Sequence, residues 1–317
     1  MKVFITREIP AKAAELLKTK NIDVKIYRES KPIPYELLKK EVKDADGVIS
    51  LLTDKFDKGI IDAMTRCKII ANYAVGYNNI DVAYANVKGI TVTNTPDVLT
   101  DSTADLAMTL VLACSRRLKE GEEIMRNNKF NGWQPLLLLG VELKEKIFGI
   151  IGAGRIGTAV ARRAAGFGVN ILYYDGRENP EIESLGGKKV SLNNLLKRSD
   201  IISMHLPLTE STYHLLNKER LRMMKETAVF INTARGEIVE EKELIRMLQQ
   251  KRLLAAGFDV YENEPLINPD LLKFNNVILL PHLGSATIEA RNEMAKLAAT
   301  NIISVLNGRG AITPVFV

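Results

Sequence analysis

The sequence predicts an α/β protein built from two doubly wound parallel sheets, and three observations lead to this fold class. The first hundred residues alternate short apolar runs, such as Lys2–Ile5 and Val48–Leu51, with amphipathic segments such as Ala11–Lys20. This rhythm is typical of strands that alternate with helices, and it resumes at Ile147. At 317 residues, the chain exceeds the size at which one hydrophobic core keeps growing, so we expect two domains.

Composition narrows the possible functions. The chain carries 44 basic and 38 acidic residues, a net charge of +6, and the basic residues are scattered. This indicates a soluble protein with some attraction for small anions rather than a nucleic-acid-binding face. The first residues read as a strand, and no apolar run has the ~18 residues that a membrane span needs. Cys67 and Cys114 lack metal-ligand spacing and lie in apolar surroundings, so we expect reduced core cysteines, no metal site and a cytoplasmic location.

The elements of the first domain can be placed in order. We predict strands at Lys2–Ile5, Val24–Tyr27, Val48–Leu51, Ile69–Ala74 and Ile90–Thr93, helices at Ala11–Lys20 and Tyr35–Val42, and a further short element at Ile60–Met64. The turn after the fourth strand contains Val75 and Gly76, whose N–H groups could bind a carboxylate, although a plain strand-to-helix connection is equally compatible. Pro96 ends the last strand, and a long helix is predicted from about Thr100 to Asn127. We place the domain boundary near residue 98.

A glycine-rich turn opens the second domain. The apolar strand Ile147–Ile151 leads directly into Gly152-x-Gly154-x-x-Gly157 and a helix. In this fingerprint the first glycine permits a tight turn, the second lets the backbone approach a pyrophosphate, and the third lets the helix pack on the strand. The N–H groups at the start of the helix then face the phosphates. The sequence therefore predicts a dinucleotide site.

The residue after the next strand indicates which dinucleotide binds. Asp175 lies close to 20 residues beyond the glycines, where a carboxylate accepts hydrogen bonds from the ribose hydroxyls. A 2′-phosphate about 4 Å away would be repelled by roughly 4 kcal/mol at a surface-like dielectric. NAD is therefore favoured over NADP. Arg177 is the counter-argument because it could pair with a phosphate, although a solvated loop cation fits the sequence better.

The remaining elements complete the second domain. Its predicted strands lie at Val169–Tyr174, Ile201–His205, Ala228–Asn232, Ala255–Asp259 and Val277–Leu280, and its predicted helices at Arg155–Phe167, Ser191–Lys197, Lys218–Met224 and Glu240–Gln250. The apolar segment Phe130–Gly140 has no clean period and is expected to cover either a cleft or a subunit interface. The helix Thr287–Leu306 is predicted to return the chain to the first domain.

Three strand ends bring reactive groups to the same edge of this sheet. They carry Arg235, Glu264 and His282, which together supply a forked cation, a carboxylate and an imidazole. Reduction of a 2-keto acid needs a cation for the substrate carboxylate and keto oxygen, a proton donor, and a partner that holds the tautomer of that donor. Taken singly, each residue could equally be a surface arginine, a turn glutamate or a structural histidine.

Four motifs in order carry a resemblance over essentially the whole chain. The stretches Gly152–Gly157, Asn232–Gly236, Asp259–Pro265 and Pro281–Thr287 resemble the D-isomer-specific 2-hydroxyacid dehydrogenase family. Ala71–Asp81 looks most like its glyoxylate/hydroxypyruvate reductase branch. The resemblance implies a flavodoxin-like substrate-binding domain, residues 1–98 plus 287–317, and a Rossmann NAD-binding domain, residues 99–286, with the active site in the cleft between them. It also implies a homodimer formed through the NAD-binding domain.

The resemblance further implies roles for individual residues. His282 would be the acid/base, Glu264 its partner and Arg235 the substrate-orienting cation. Val75 and Gly76 would bind the substrate carboxylate through their N–H groups. The implied cofactor-binding residues are Thr103, Gly152, Gly154, Arg155, Ile156, Gly157, Asp175, Pro207, Thr233, Ala234 and Asp259.

The leading hypothesis is an NAD-dependent reductase of glyoxylate or hydroxypyruvate that forms the D-hydroxy acid. D-lactate-type or D-3-phosphoglycerate dehydrogenase activity is the alternative within the family. Phosphoglycerate would require additional cations, and the stretches Leu51–Asp54 and Ala74–Tyr77 contain none. An NADH-sensing binding protein is the alternative outside the enzymes, but it would leave Arg235, Glu264 and His282 without a necessary role.

Overall fold

A computed structural model describes residues 1–316 of the chain. They form two compact units. Unit 1 consists of Met1–Leu99 and the segment that begins at Ala286, and unit 2 consists of Thr100–Ser285. The boundaries predicted from sequence, 98/99 and 286/287, each lie one residue away from these. Each unit contains one parallel sheet with helices packed on it, so the predicted α/β class with two doubly wound sheets is confirmed.

The strands and helices alternate along most of the chain. The strands are β1 (Lys2–Ile5), β2 (Asp23–Ile26), β3 (Gly47–Ser50), β4 (Ile69–Asn72), β5 (Thr91–Thr93), β6 (Ile147–Ile151), β7 (Asn170–Tyr174), β8 (Lys188–Lys189), β9 (Ile201–Met204), β10 (Val229–Asn232), β11 (Ala255–Phe258) and β12 (Val277–Leu279). The α-helices are α1 (Lys12–Lys18), α2 (Tyr35–Glu41), α3 (Lys58–Ala63), α4 (Val82–Val87), α5 (Thr100–Ser115), α6 (Leu118–Arg126), α7 (Arg155–Ala165), α8 (Pro180–Ser184), α9 (Leu192–Arg198), α10 (Lys218–Leu221), α11 (Glu241–Gln249) and α12 (Ile288–Leu306).

Unit 1 contains a five-stranded sheet in the order β2-β1-β3-β4-β5, with every neighbouring pair parallel. Every residue of β3 and β4 is buried, as expected for apolar strands that are covered on both faces. Helix α12 packs directly on β3, because a Cβ placed at Gly47 would lie 3.0 Å from Cδ1 of Ile302. The strand order reverses between β1 and β3, which is the position where open parallel sheets bind ligands.

Unit 2 contains a seven-stranded parallel sheet in the order β12-β11-β10-β9-β6-β7-β8. A core lies on each face: one includes Phe230 and Phe258, and the other includes Phe148 and Tyr173. Because all strands point the same way, the segments that follow β6, β9, β10, β11 and β12 emerge at one edge of the sheet. Most candidate functional residues of unit 2 lie in these segments, while Asp175 follows β7 and Thr103 lies in α5.

Several elements differ from the sequence prediction. The single helix predicted to reach Asn127 is two helices, because Arg117 adopts a left-handed backbone conformation with φ 53° between α5 and α6. The helix predicted from Lys218 to Met224 ends at Leu221. The short elements α4, α8 and β8 were missed. They have six, five and two residues, too few to establish a periodic pattern.

Neither a membrane span nor a metal cluster occurs in the described part of the chain. None of the helices within residues 1–316 is both long and apolar enough to cross a bilayer. The same residues contain no group of three or more His, Cys, Asp or Glu side chains placed to hold a metal ion. Cys67 and Cys114 are unbonded to each other and buried, and burial raises the pKa of each thiol to about 12.

Candidate active site

The glycine turn after β6 has a distinct structural requirement at each glycine. Gly152 has φ 99°, and a Cβ there would lie 2.7 Å from backbone atoms at His205. A Cβ at Gly157 would lie 2.0 Å from the carbonyl oxygen of Gly152, so α7 can pack against the turn only with glycine at this position. At Gly154 a Cβ would meet no atom within 4 Å. The space beside Gly154 is therefore open to a ligand that approaches the backbone.

Asp175 and Asn179 hold this turn from the end of β7. The N–H of Ala153 donates to Asp175 Oδ2 at 2.7 Å, and the Asn179 side chain donates to the carbonyl oxygen of Ala153 at 2.8 Å. Asn179 also donates to Thr158 Oγ1 at 2.8 Å. The Arg177 side chain is exposed, while its backbone N–H donates to Asp175 Oδ1 at 3.3 Å. Asp175 thus links the glycine turn to the place where the ribose is expected.

Three structural observations indicate that unit 2 can bind a dinucleotide. Helix α7 begins at Arg155 after Gly154, with no side chain capping its first N–H groups, so these groups can bind phosphate oxygens. The open space at Gly154 allows that approach. Thr233 Oγ1 and His205 Nδ1 are buried polar atoms without a hydrogen-bond partner among residues 1–316, and such atoms usually have a partner.

His205 itself behaves as a neutral, packed residue. Its Nε2 lies 2.9 Å from Ser203 Oγ, and burial lowers the pKa of His205 to about 3. His205 is therefore a packing residue directly after β9. The neighbouring Pro207, a predicted cofactor contact, accepts a hydrogen bond from Thr212 Oγ1 at 2.7 Å through its carbonyl oxygen.

His282 and Glu264 form a hydrogen-bonded pair at the carboxyl edge of the sheet. His282 Nδ1 lies 2.9 Å from Glu264 Oε2, and the two side chains are 27% and 29% exposed. Because an ionised carboxylate can only accept, Nδ1 carries the proton of this bond. Nε2 makes no hydrogen bond within residues 1–316. The pair therefore presents Nε2 for proton exchange with a ligand.

The carboxylate of Glu264 is held in its ionised form. Burial raises the pKa of Glu264, but hydrogen bonding and the positive charge of protonated His282 lower it, as do the N–H of Tyr261 and the charge of Arg235. The net pKa lies below its ordinary value. The second oxygen, Oε1, accepts from the Tyr261 N–H at 3.1 Å. Glu264 can therefore orient the imidazole as a fixed acceptor.

Asp259 fixes the segment that carries His282. It is 1% exposed, and its two oxygens accept from the N–H groups of Leu283 at 2.6 Å and Gly284 at 2.8 Å. Burial raises the pKa of Asp259, and these two N–H groups oppose the rise. Thr103 Oγ1 donates to the carbonyl oxygen of Gly284 at 3.1 Å. His282 adopts φ 56°, a left-handed conformation that is uncommon outside glycine and here requires these restraints.

The loop after β10 carries Arg235, Thr233 and Ala234. Asn232 Oδ1 accepts from the N–H of Ala234 at 3.0 Å, and Asn232 Nδ2 donates to the carbonyl oxygen of Arg235 at 2.9 Å. A Cβ at Gly236 would lie 1.9 Å from the carbonyl carbon of Tyr261. The loop thus packs directly on the segment that leads to Glu264. Burial lowers the pKa of Arg235, and the charges of Glu264 and Glu237 oppose this.

Val75 and Gly76 lie in unit 1, in the loop after β4. Asn94 donates to the carbonyl oxygen of Val75 at 2.8 Å, and Asn72 donates to that of Gly76 at 2.8 Å. The N–H groups of Val75 and Gly76 donate to no protein acceptor in the described part of the chain. Both carbonyls are therefore fixed while both N–H groups remain available, which suits recognition of a carboxylate.

The structure brings the predicted residues of unit 2 together and reveals residues that the sequence analysis missed. Asp259, Arg235, Glu264 and His282 lie on consecutive segments of one sheet edge. The missed residues are asparagines that hydrogen-bond the backbone of the functional loops, namely Asn72, Asn79, Asn94, Asn179 and Asn232. The signal that could have found some of them is an asparagine at or directly beyond the end of a strand.

Comparisons with known proteins agree with this arrangement. Residues 108–284 match the family model of the D-isomer specific 2-hydroxyacid dehydrogenase, NAD binding domain. The chain is 48% identical over 312 residues to a glyoxylate reductase of Thermococcus kodakarensis, and the alignment covers 97% of this chain and 93% of the relative. A solved glyoxylate reductase from Paecilomyes thermophila has 33% identity and a TM-score of 0.89, with 99% and 98% of the two chains covered. A D-lactate dehydrogenase from Aquifex aeolicus, solved with NAD and lactic acid, has 29% identity and a TM-score of 0.86, with 98% and 96% covered.

Proposed function

The chain belongs to the D-isomer-specific 2-hydroxyacid dehydrogenase family, and on that basis we propose that it reduces glyoxylate and hydroxypyruvate with NADH to the corresponding D-hydroxy acids. Membership makes it an NAD-dependent oxidoreductase that acts on small 2-keto acids. The observation that carries the more specific proposal is the His282–Glu264 pair. Its Nε2, which no group of the described residues binds, can donate the proton that reduction of a keto oxygen needs.

His282 is the acid in the proposed mechanism. Its Nε2 donates a proton to the keto oxygen as negative charge develops there, and it accepts that proton when the reaction runs in the other direction. Glu264 keeps the proton on Nδ1, so Nε2 is the nitrogen that exchanges a proton with the substrate. The hydrogen bonds to Asp259 hold the backbone segment that carries the imidazole, in which His282 has a left-handed conformation.

Two further groups orient the substrate in the proposal. The guanidinium of Arg235, a partly buried residue after β10, pairs with the carboxylate and polarises the keto oxygen. The N–H groups of Val75 and Gly76 bind the carboxylate from unit 1. This role is supported by the hydrogen bonds that the carbonyl groups of Val75 and Gly76 accept, because they hold the N–H groups in a fixed direction. Holding the substrate in a fixed orientation before the reaction lowers the entropic part of the activation barrier.

NADH, when bound, supplies the hydride that the keto carbon accepts. Within unit 2, the glycine turn and the start of α7 would hold its pyrophosphate, and Asp175 its adenosine ribose. The carboxylate of Asp175 favours NAD over NADP, since a 2′-phosphate would be repelled. The complete set of residues proposed to hold the cofactor is Thr103, Gly152, Gly154, Arg155, Ile156, Gly157, Asp175, Pro207, Thr233, Ala234 and Asp259.

We also propose that the protein is a cytoplasmic homodimer assembled through unit 2. The segment Phe130–Gly140 supports this, because Trp133 is 84% exposed and Leu136 is 80% exposed, and contiguous exposed apolar residues typically mark an interface. Light scattering after size exclusion should give twice the chain mass, and Trp133→Glu combined with Leu136→Glu should give a monomer. A wild-type monomer would refute the assembly.

A substrate panel tests the proposed function. NADH oxidation is followed with glyoxylate, hydroxypyruvate, pyruvate, 2-ketobutyrate and phosphohydroxypyruvate, and the panel is repeated with NADPH. We expect glyoxylate and hydroxypyruvate to give the highest kcat/KM, with NADH preferred. Preference for pyruvate or phosphohydroxypyruvate would instead support the D-lactate-type or phosphoglycerate alternative. Binding of NADH without turnover of any keto acid would support the sensor alternative.

A further inference from the structure

An arginine that the sequence analysis did not single out lies at the ligand-binding edge of the unit 1 sheet. Arg7 follows β1 directly, and the turn Leu51–Asp54 follows β3, so these two segments flank the point where the strand order reverses. Open parallel sheets bind ligands at this point, beyond the carboxyl ends of the strands. The loop with Val75 and Gly76 follows β4, the next strand of the sheet.

Arg7 is positioned but not saturated with hydrogen bonds. Its Nη2 donates to Thr53 Oγ1 at 2.9 Å. Its Nε is buried and has no hydrogen-bond partner in the described part of the chain, where Arg7 also forms no ion pair. A guanidinium has five N–H donors, and a buried donor without an acceptor is unfavourable. The guanidinium is therefore held by one hydrogen bond to the protein and keeps further N–H donors for a ligand.

Asp54 stabilises the turn beside Arg7 and forms no hydrogen bond with the guanidinium in the described part of the chain. It is 3% exposed and accepts from Thr6 Oγ1 and from the N–H of Leu51, the latter at 2.8 Å. Burial raises the pKa of Asp54, and the positive charge of Arg7 is among the effects that lower it. Asp54 thus fixes the turn that carries Thr53, and Thr53 in turn fixes the guanidinium.

The sheet geometry places Arg7 beside the loop that is proposed to hold the substrate carboxylate. Neighbouring strands are about 4.8 Å apart, and Thr53, which accepts from the Arg7 guanidinium, follows the strand next to the one that Val75 follows. A ligand held by the N–H groups of Val75 and Gly76 therefore lies next to the segment that holds the guanidinium. In a three-carbon keto acid, an oxygen on C3 is an acceptor at the end remote from the carboxylate, whereas glyoxylate has no C3 and offers no such acceptor.

We propose that Arg7 donates a hydrogen bond to an oxygen on C3 of the substrate, so that unit 1 selects 3-hydroxy-2-keto acids over 2-keto acids with an alkyl C3. This inference rests on the proposed function, because it assigns the substrate class of the same site. Hydroxypyruvate is the simplest member of that class. Its closest alkyl counterpart is 2-ketobutyrate, in which a methyl group replaces the hydroxyl.

The test compares these two substrates in Arg7→Met. The wild-type ratio of kcat/KM for hydroxypyruvate to that for 2-ketobutyrate should fall about 10- to 100-fold in the variant, as expected for loss of a hydrogen bond to a charged group. The kcat/KM for glyoxylate, which has no C3, should fall much less than that for hydroxypyruvate. Arg28→Met is the matched control, because Arg28 lies in the same unit, is 70% exposed and pairs with Glu8.

The outcomes separate this inference from the function on which it rests. An unchanged hydroxypyruvate to 2-ketobutyrate ratio, or an equal loss on all three substrates, would overturn the role of Arg7. A wild-type protein that reduces none of the three would instead refute the proposed function. If Arg7→Met does not fold, Thr53→Val serves the same test, because it releases the guanidinium but keeps its charge. A fall in the same ratio would support the inference, and an unchanged ratio would overturn it.

Discussion

The glycine turn after β6 allows two substitutions of identical size to be compared. Gly157→Ala places a methyl group 2.0 Å from the carbonyl oxygen of Gly152, whereas Gly154→Ala places it where no atom lies within 4 Å. The first change must displace backbone atoms, and overpacking of this kind costs about 1–3 kcal/mol. For a unit of this size each kcal/mol lowers the melting temperature by about 2–4 °C. We therefore expect Gly157→Ala to melt about 2–12 °C below the wild type.

Gly154→Ala should show the opposite behaviour. Its backbone has φ −76° and ψ −164°, which alanine adopts without strain, so the melting temperature should change by less than about 2 °C. The added methyl group occupies the space through which a pyrophosphate approaches the backbone. We expect the Kd for NADH to rise at least about tenfold, which corresponds to about 1.4 kcal/mol.

Two measurements check this pair of variants without relying on turnover. Differential scanning calorimetry gives the melting temperatures, and titration of NADH fluorescence gives the dissociation constants. Wild-type NADH affinity in Gly154→Ala would refute the placement of the pyrophosphate. Wild-type melting of Gly157→Ala would refute the inferred close contact between α7 and the turn.

Three further predictions concern carboxylates of unit 2. Asp259→Asn leaves one of the two N–H groups bound by Asp259 without an acceptor, so the free energy of unfolding from calorimetry should fall by about 1–3 kcal/mol. A turnover equal to wild type would contradict the positioning role of Asp259. Asp175→Ala should narrow the preference for NADH over NADPH in kcat/KM, and an unchanged ratio would assign that preference to another residue. Glu264 has a folded-state pKa below its ordinary value of 4.5, so its contribution to stability is present above about pH 4.5 and is lost as the pH falls through the lower value. Glu264→Gln should remove this part of the acid sensitivity, and unchanged acid unfolding curves would contradict it.

The fold could be predicted well from the sequence because its strands are continuous apolar runs and its longer helices are periodic. The bend at Arg117 could not, since it depends on one residue in a left-handed conformation. Of the site, the glycine turn and Asp175 follow from local spacing. Arg235, Glu264 and His282 could be grouped only because the carboxyl ends of parallel strands share one edge.

The supporting residues were harder to predict for a different reason. Asn72 and Asn94 hydrogen-bond the loop that contains Val75 and Gly76. Strand pairing brings these residues together, and an asparagine in a sequence gives no information about its partner. The same holds for Arg7, whose contact with Thr53 spans 46 positions. The stretches expected to face the substrate contain no cation, because the cation proposed for this role follows a different strand.

The most direct test of the account is the turnover of His282→Ala with glyoxylate, measured together with its affinity for NADH. We predict that kcat falls about a hundredfold or more, the usual contribution of a general acid, while the Kd for NADH stays at the wild-type value. His214→Ala is the matched control, because His214 also pairs with a glutamate, Glu262, at 2.7 Å in the same unit, and its turnover should fall far less. Near-normal turnover of His282→Ala would contradict the proposed mechanism.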